Sequence, residues 1–213
     1  NVMGHINNDA SDHNVAIGDS ALLGGTGTVT KNVAIGNNAM GTGVGDNNQT
    51  GTVAIGYDAL QDLTSGAGNT AIGYQALRLQ TSGIGNTVIG YQAAPELAGG
   101  GYNVVIGREA MFSADGTESS NVAIGQSSMG SVDNGSSNNN VAIGRNSMAG
   151  GTGALARNVA IGYFAMDGTS SIGGTDNIFM GASAGGGSWS TAVSTDNIGI
   201  GSYALDGALN GAT

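Results

Sequence analysis

Cysteine is absent from these 213 residues, which removes disulfides and thiolate metal sites and leaves the redox compartment open. Cations are scarce: five Lys and Arg stand against fifteen Asp and Glu, for a formal charge of −10. Nucleic-acid affinity depends on clustered cations, so that class of partner is excluded. No long apolar run or basic amphipathic helix is present, so no membrane insertion is expected. The chain opens on Asn1 rather than Met and is expected to be a fragment or a processed product, with any targeting segment out of view.

Glycine is what the sequence has in excess. Its 41 residues are typical of low-complexity sequence. A net charge of −10 is nevertheless too small for self-repulsion to hold the chain open. The order of residues decides the matter. A phrase close to Asn-Val-Ala-Ile-Gly ends at Gly18, Gly36, Gly56, Gly73, Gly90, Gly107, Gly125, Gly144, Gly162, Gly181 and Gly201, eleven copies at spacings of 17 to 20 residues. Two variable residues follow each glycine, then a small residue and usually Leu or Met, as in Ala21-Leu22, Ala76-Leu77 and Ser128-Met129. A tail rich in Gly, Ser, Thr, Asn and Asp closes the unit.

The glycine frequency and the short apolar runs exclude helices. The pattern predicts an all-β fold: a parallel β-roll or β-solenoid of about eleven rungs, about 50 Å long at strand spacing. Two short strands per rung are expected, with the recurring glycine as the bend between them. Residues 14–205 form the roll; residues 1–13 read as a partial rung or N-terminal cap, and 206–213 as a C-terminal partial rung or a link to a further domain.

Side chains alternate across a strand. Val15 and Ile17 share one face, and the Val/Ile column is assigned to the interior of the roll. The opposite column reads Ala16, Ala34, Ala54, Ala71, Val88, Val105, Ala123, Ala142, Ala160, Phe179 and Gly199, without a polar side chain. A strand apolar on both faces is covered on both. The Ala column, from Ala16 to Phe179, is therefore assigned to a subunit interface in a self-associating chain. The alternative is a monomeric solenoid whose own loops cover it. Asn14, Asn32, Asn69, Asn86, Asn103, Asn121, Asn140, Asn158, Asn177 and Asn197 occupy ten of eleven equivalent positions, with Thr52 in the other. Rungs about 4.8 Å apart let such amides bond along a structural ladder.

These rungs resemble the head domains of trimeric autotransporter adhesins, which are left-handed parallel β-rolls that associate as trimers. The phrase Asn69-Thr-Ala-Ile-Gly-Tyr-Gln-Ala-Leu77 resembles repeats of bacteriophage tail fibres, many of which end in a self-cleaving intramolecular chaperone domain. The likeness spans about residues 14–205, although units here are longer than typical adhesin-head repeats. It implies a homotrimer, extracellular, in a virion tail fibre or on a cell surface, with residue 213 near a processing point. The implied function is a rigid structural and adhesive shaft presenting loops to a host or matrix surface. The implied partners are copies of itself and a host-surface glycan or protein receptor. Three alternatives stay open: a bacterial adhesin head, a glycan-degrading β-solenoid of the tailspike type, and a monomeric solenoid that polymerises into filaments.

No catalytic constellation stands out, and no enzyme activity or cofactor is expected. His5 and His13, with Asp9 and Asp12, read as a polar chain end rather than a metal site. Glycan cleavage needs two carboxylates at a defined separation, whereas Asp58, Asp62, Glu109, Asp115 and Glu118 form no paired column. The candidate recognition residues are Tyr57, Tyr74, Tyr91 and Tyr163, each directly after the glycine, whose ring faces could meet sugars. Trp189, in the insertion from Gly185 to Ser190, is the other candidate, since loops on a rigid scaffold carry recognition.

Overall fold

A computed structural model of the chain describes residues 13–23, 28–41, 49–132, 137–151, 153–169, 173–187, 189 and 193–207. Among these residues there are short strands and turns and no helix. In chain order the strands are β1 (Val15–Ile17), β2 (Val29–Thr30), β3 (Val33–Ile35), β4 (Gln49–Thr50), β5 (Val53–Ile55), β6 (Thr70–Ile72), β7 (Thr87–Ile89), β8 (Val104–Ile106), β9 (Val122–Ile124), β10 (Val141–Ile143), β11 (Leu155–Ala156), β12 (Val159–Ile161), β13 (Gly174–Thr175), β14 (Ile178–Met180), β15 (Ser194–Thr195) and β16 (Ile198–Ile200). The eleven three-residue strands form one parallel sheet, each paired in register with the equivalent strand of the next rung. The chain is a parallel β-solenoid, as its repeat predicts.

The second strand differs from expectation. Where it forms, in β2, β4, β11, β13 and β15, it lies before the Asn (Thr52 in the case of β4) and not after the glycine. The segment after the glycine is a turn with positive φ at its second and fourth residues, for example Gln75 (φ 54) and Leu77 (φ 50). Left-handed conformations cost about 1–2 kcal/mol for residues with a Cβ. Bonds between rungs hold them: the Gln75 amide donates to the Tyr57 carbonyl at 2.8 Å, and the Leu77 amide to the Ala93 carbonyl at 3.1 Å.

That turn decides which face is inside. It carries Leu22, Met40, Leu60, Leu77, Met111 and Met129 into the interior, where all are buried. Opposite them the strand presents mostly small side chains. Ala34, Ala54, Ala71, Val88, Val105, Ala123, Ala142, Ala160 and Phe179 are each 0% exposed within one chain, and Ala16 packs partly buried against the same core. The Ala column is thus the interior of the roll, which corrects its assignment to a subunit interface. The Val/Ile column, assigned to the interior, points outward instead and is half-buried to exposed in every rung.

The recurring glycine is required by the rung that follows. A Cβ on Gly90 would stand 2.3 Å from the Gly107 carbonyl oxygen, with similar close approaches along the column; on Gly201 it would meet nothing within 4 Å among the described residues.

The Asn residues run as a buried ladder. The Asn103 amide and its Nδ2 both donate to Asn86 Oδ1, at 2.9 and 3.0 Å, and Nδ2 also donates to the Glu118 carbonyl at 2.8 Å. Asn121 repeats this on Asn103 Oδ1 and the Ser137 carbonyl. Asn14, Asn32, Asn69, Asn140, Asn158, Asn177 and Asn197 belong to the same chain of bonds. Where Nδ2 reaches a carbonyl in the following rung, that carbonyl lies three residues before the next ladder position: Val29 for Asn14, Gln49 for Asn32 and Gly83 for Asn69. Thr52 interrupts the series. Its amide donates to Asn32 Oδ1 at 2.9 Å, but its buried Oγ1 has no hydrogen-bond partner.

Candidate functional site

Two surfaces follow from this architecture. The first is the outward face of the eleven-stranded sheet. Apart from Thr70 and Thr87 its side chains are Val, Ile and Met, two per rung. At the ends these are openly exposed, with Ile17 at 57% and Ile200 at 69%. Ten intervals of about 4.8 Å make an apolar strip about 48 Å long. Its area is on the order of 500 Å², as large as the biggest single patch on a typical monomer.

The second surface is the turn corner beside the glycine column. Tyr57, Tyr74 and Tyr91 stack on one another, with centroids 5.4 and 5.1 Å apart and ring planes within 11° and 10°. Tyr74 therefore has a ring against each face. Its faces are not open to a sugar, and the row presents edges and hydroxyls instead. Tyr163 meets the Phe164 ring edge-on at 4.4 Å and lies under the Arg145 guanidinium at 5.7 Å. Beside the tyrosines runs a polar row: Asn38 Nδ2 donates to Asp58 Oδ1 at 3.2 Å, and Gln92 Nε2 donates to Gln75 Oε1 at 3.0 Å.

Trp189 is not on the surface. It is 0% exposed and packs edge-on against Phe179, with centroids 5.8 Å apart. Phe179 fills a place that Ala takes in most other rungs, and the chain makes room with two glycines. A Cβ on Gly185 or Gly199 would lie 2.6 or 2.8 Å from its ring. The signal was legible in combination: Phe in the Ala column, Gly in place of the inward Leu or Met, and Gly199 in the next rung.

The carboxylates are dispersed. Asp58 is buried in the polar row, and Glu118 is buried with Oε2 accepting from the Gly116 amide at 3.1 Å. Glu109 pairs with Arg108 at 2.8 Å. A hydrogen bond and the charge of Arg157 hold Asp176 below the usual carboxylate range. Burial, and then the nearby charge of Asp206, push Asp167 above it. Among the described residues no three His, Cys, Asp or Glu stand together as a metal site, and no helix is long and apolar enough to cross a membrane. Of the chain-end group, His13 is exposed, whereas His5, Asp9 and Asp12 lie outside the described residues. No protein-family model, curated protein or solved structure matches the chain.

Proposed function

We propose that the chain is a structural and adhesive fibre segment, a stiff extracellular shaft built from three copies packed along their Val/Ile faces. One observation carries this reading: an outward apolar strip, broken only at Thr70 and Thr87, runs through all eleven rungs and is half-buried to exposed along its length. Three such strips facing a common axis bury one another, and their matching rung spacing makes the contact self-complementary. Length then adds one rung at a time without altering the core. The acidic balance favours dispersion and disfavours anionic surfaces. The likeness to tail-fibre and adhesin-head repeats supports the same function, now with the Val/Ile face rather than the Ala column as the seam.

Light scattering over a dilution series tests the assembly. A mass near three times 20.7 kDa that persists on dilution is expected. A stable particle of 20.7 kDa would contradict the seam. A mass that climbs with concentration would favour head-to-tail filaments.

A further inference from the structure

On the turn corner of the eighth, ninth and tenth strands lies an open depression of about 370 Å³, within the size range of small-molecule sites. One wall is a column with one residue per rung: Glu109, Ser127 and Asn146, each two places after its glycine. Backbone bonds hold the column in step, the Ser127 amide donating to the Arg108 carbonyl at 2.9 Å and the Asn146 amide to the Gln126 carbonyl at 3.0 Å. The facing column reads Phe112, Gly130 and Ala149. Two small residues beside one large ring open the hollow, and they leave the exposed Phe112 ring as its apolar wall.

We propose that this depression is a subsite for an uncharged pyranose of a surface glycan, bound through vicinal hydroxyls. The proposal rests on the attachment role given above and names the ligand class for it. Each wall supplies a different part of sugar recognition. A pyranose has an apolar C–H face, which lies on an aromatic ring, and a rim of hydroxyls, which needs donors and acceptors on one side. Glu109 is the strong acceptor. Arg108 Nε and Nη2 both donate to Oε1, at 3.2 and 2.8 Å, which fixes the carboxylate through one of its two oxygens. Ser127 offers a hydroxyl and Asn146 an amide that both donates and accepts. Rungs about 4.8 Å apart let neighbouring hydroxyls of one ring meet successive rungs. Glu109 accepts from hydroxyls, whereas a ligand carboxylate has no proton to give it and makes no bond there. The residues lining the depression belong to the turns and none of them to the Val/Ile strip.

The test is saturation-transfer NMR on the full chain with methyl α-mannoside, methyl β-galactoside and methyl β-glucoside, and with glucuronate as the anionic control. Transfer to at least one neutral glycoside is expected, with none to glucuronate. Phe112→Ala and Glu109→Ala should each weaken binding by about tenfold or more, the loss of a wall or of a charge-assisted bond, with an unchanged thermal transition. Absence of transfer from all three neutral glycosides, preference for glucuronate, or full binding by both variants would overturn the subsite. Light scattering on the same samples separates the two readings. A trimer that binds no sugar removes the subsite alone, and a monomer that binds removes the shaft alone.

Discussion

Thr52 is the one break in the Asn ladder, and repairing it should stabilise the protein. In Thr52→Asn the new Nδ2 reaches Asn32 Oδ1, which already accepts the amide of residue 52 at 2.9 Å. By the three-residue rule of the other rungs, its second hydrogen goes to the Gly66 carbonyl. The new Oδ1 accepts from the amide and Nδ2 of Asn69, as Asn69 Oδ1 does from Asn86 at 2.9 and 3.1 Å. Up to four bonds form, and a buried hydroxyl without a partner disappears. At about 1 kcal/mol net for each bond, less about 0.8 kcal/mol for the lost methyl, the gain is about 1–3 kcal/mol. For a chain of this size that raises the thermal midpoint by about 2–12 °C. Calorimetry reads the midpoint, and amide hydrogen exchange reads the site: Asn69 N–H should exchange far more slowly in the variant. A lowered midpoint, or unchanged exchange at Asn69, would refute the ladder as a source of stability.

Gly90→Ala places a Cβ 2.3 Å from the next rung's carbonyl and should cost more than about 4 kcal/mol, whereas Gly201→Ala meets nothing among the described residues and incurs only backbone strain of about 1–3 kcal/mol; paired urea titrations check the difference. Ser120 is exposed at φ 60, a position filled by glycine at Gly51, Gly68 and Gly85, so Ser120→Gly should stabilise by about 0.5–1 kcal/mol in the same assay. Asp167 holds its proton more tightly folded than unfolded, so its charge lowers stability at neutral pH and the cost fades as pH falls through the raised pKa. Asp167→Asn should therefore melt higher than the parent at pH 7, and the gap should close towards pH 3, as thermal melts across pH will show.

Much of this architecture is legible in the residue order because a stacked rung repeats its chemistry at each level. The eleven glycines locate the sheet, its register and the Asn positions. What the order does not disclose is which face of the strand is interior. Alternation separates Val33 and Ile35 from Ala34, but either set can face inward. The choice depends on the turn after the glycine, where Leu77 and its equivalents adopt a left-handed conformation that their residue type disfavours. Once those side chains point inward, a narrow roll favours a small side chain on the facing strand, and Ala fills seven of the eleven positions. The tyrosine row shows the same limit. Spacing of 17 residues aligns Tyr57, Tyr74 and Tyr91, but only the ring geometry shows that they cover one another's faces. Trp189 needed three positions read together, since neither Phe179, Gly185 nor Gly199 explains it singly.

The central claim is that Ala faces in and Val/Ile faces out against other copies. The most direct test is the solution mass and circular dichroism of two variants of adjacent strand positions. Replacing Ile72, Ile89 and Ile106 together by Glu should yield a folded β-rich particle of 20.7 kDa. Val88→Glu, which buries a charge among Leu and Met at a cost of several kcal/mol, should unfold its rungs. A folded Val88→Glu protein beside an unfolded triple variant would show that the faces are reversed.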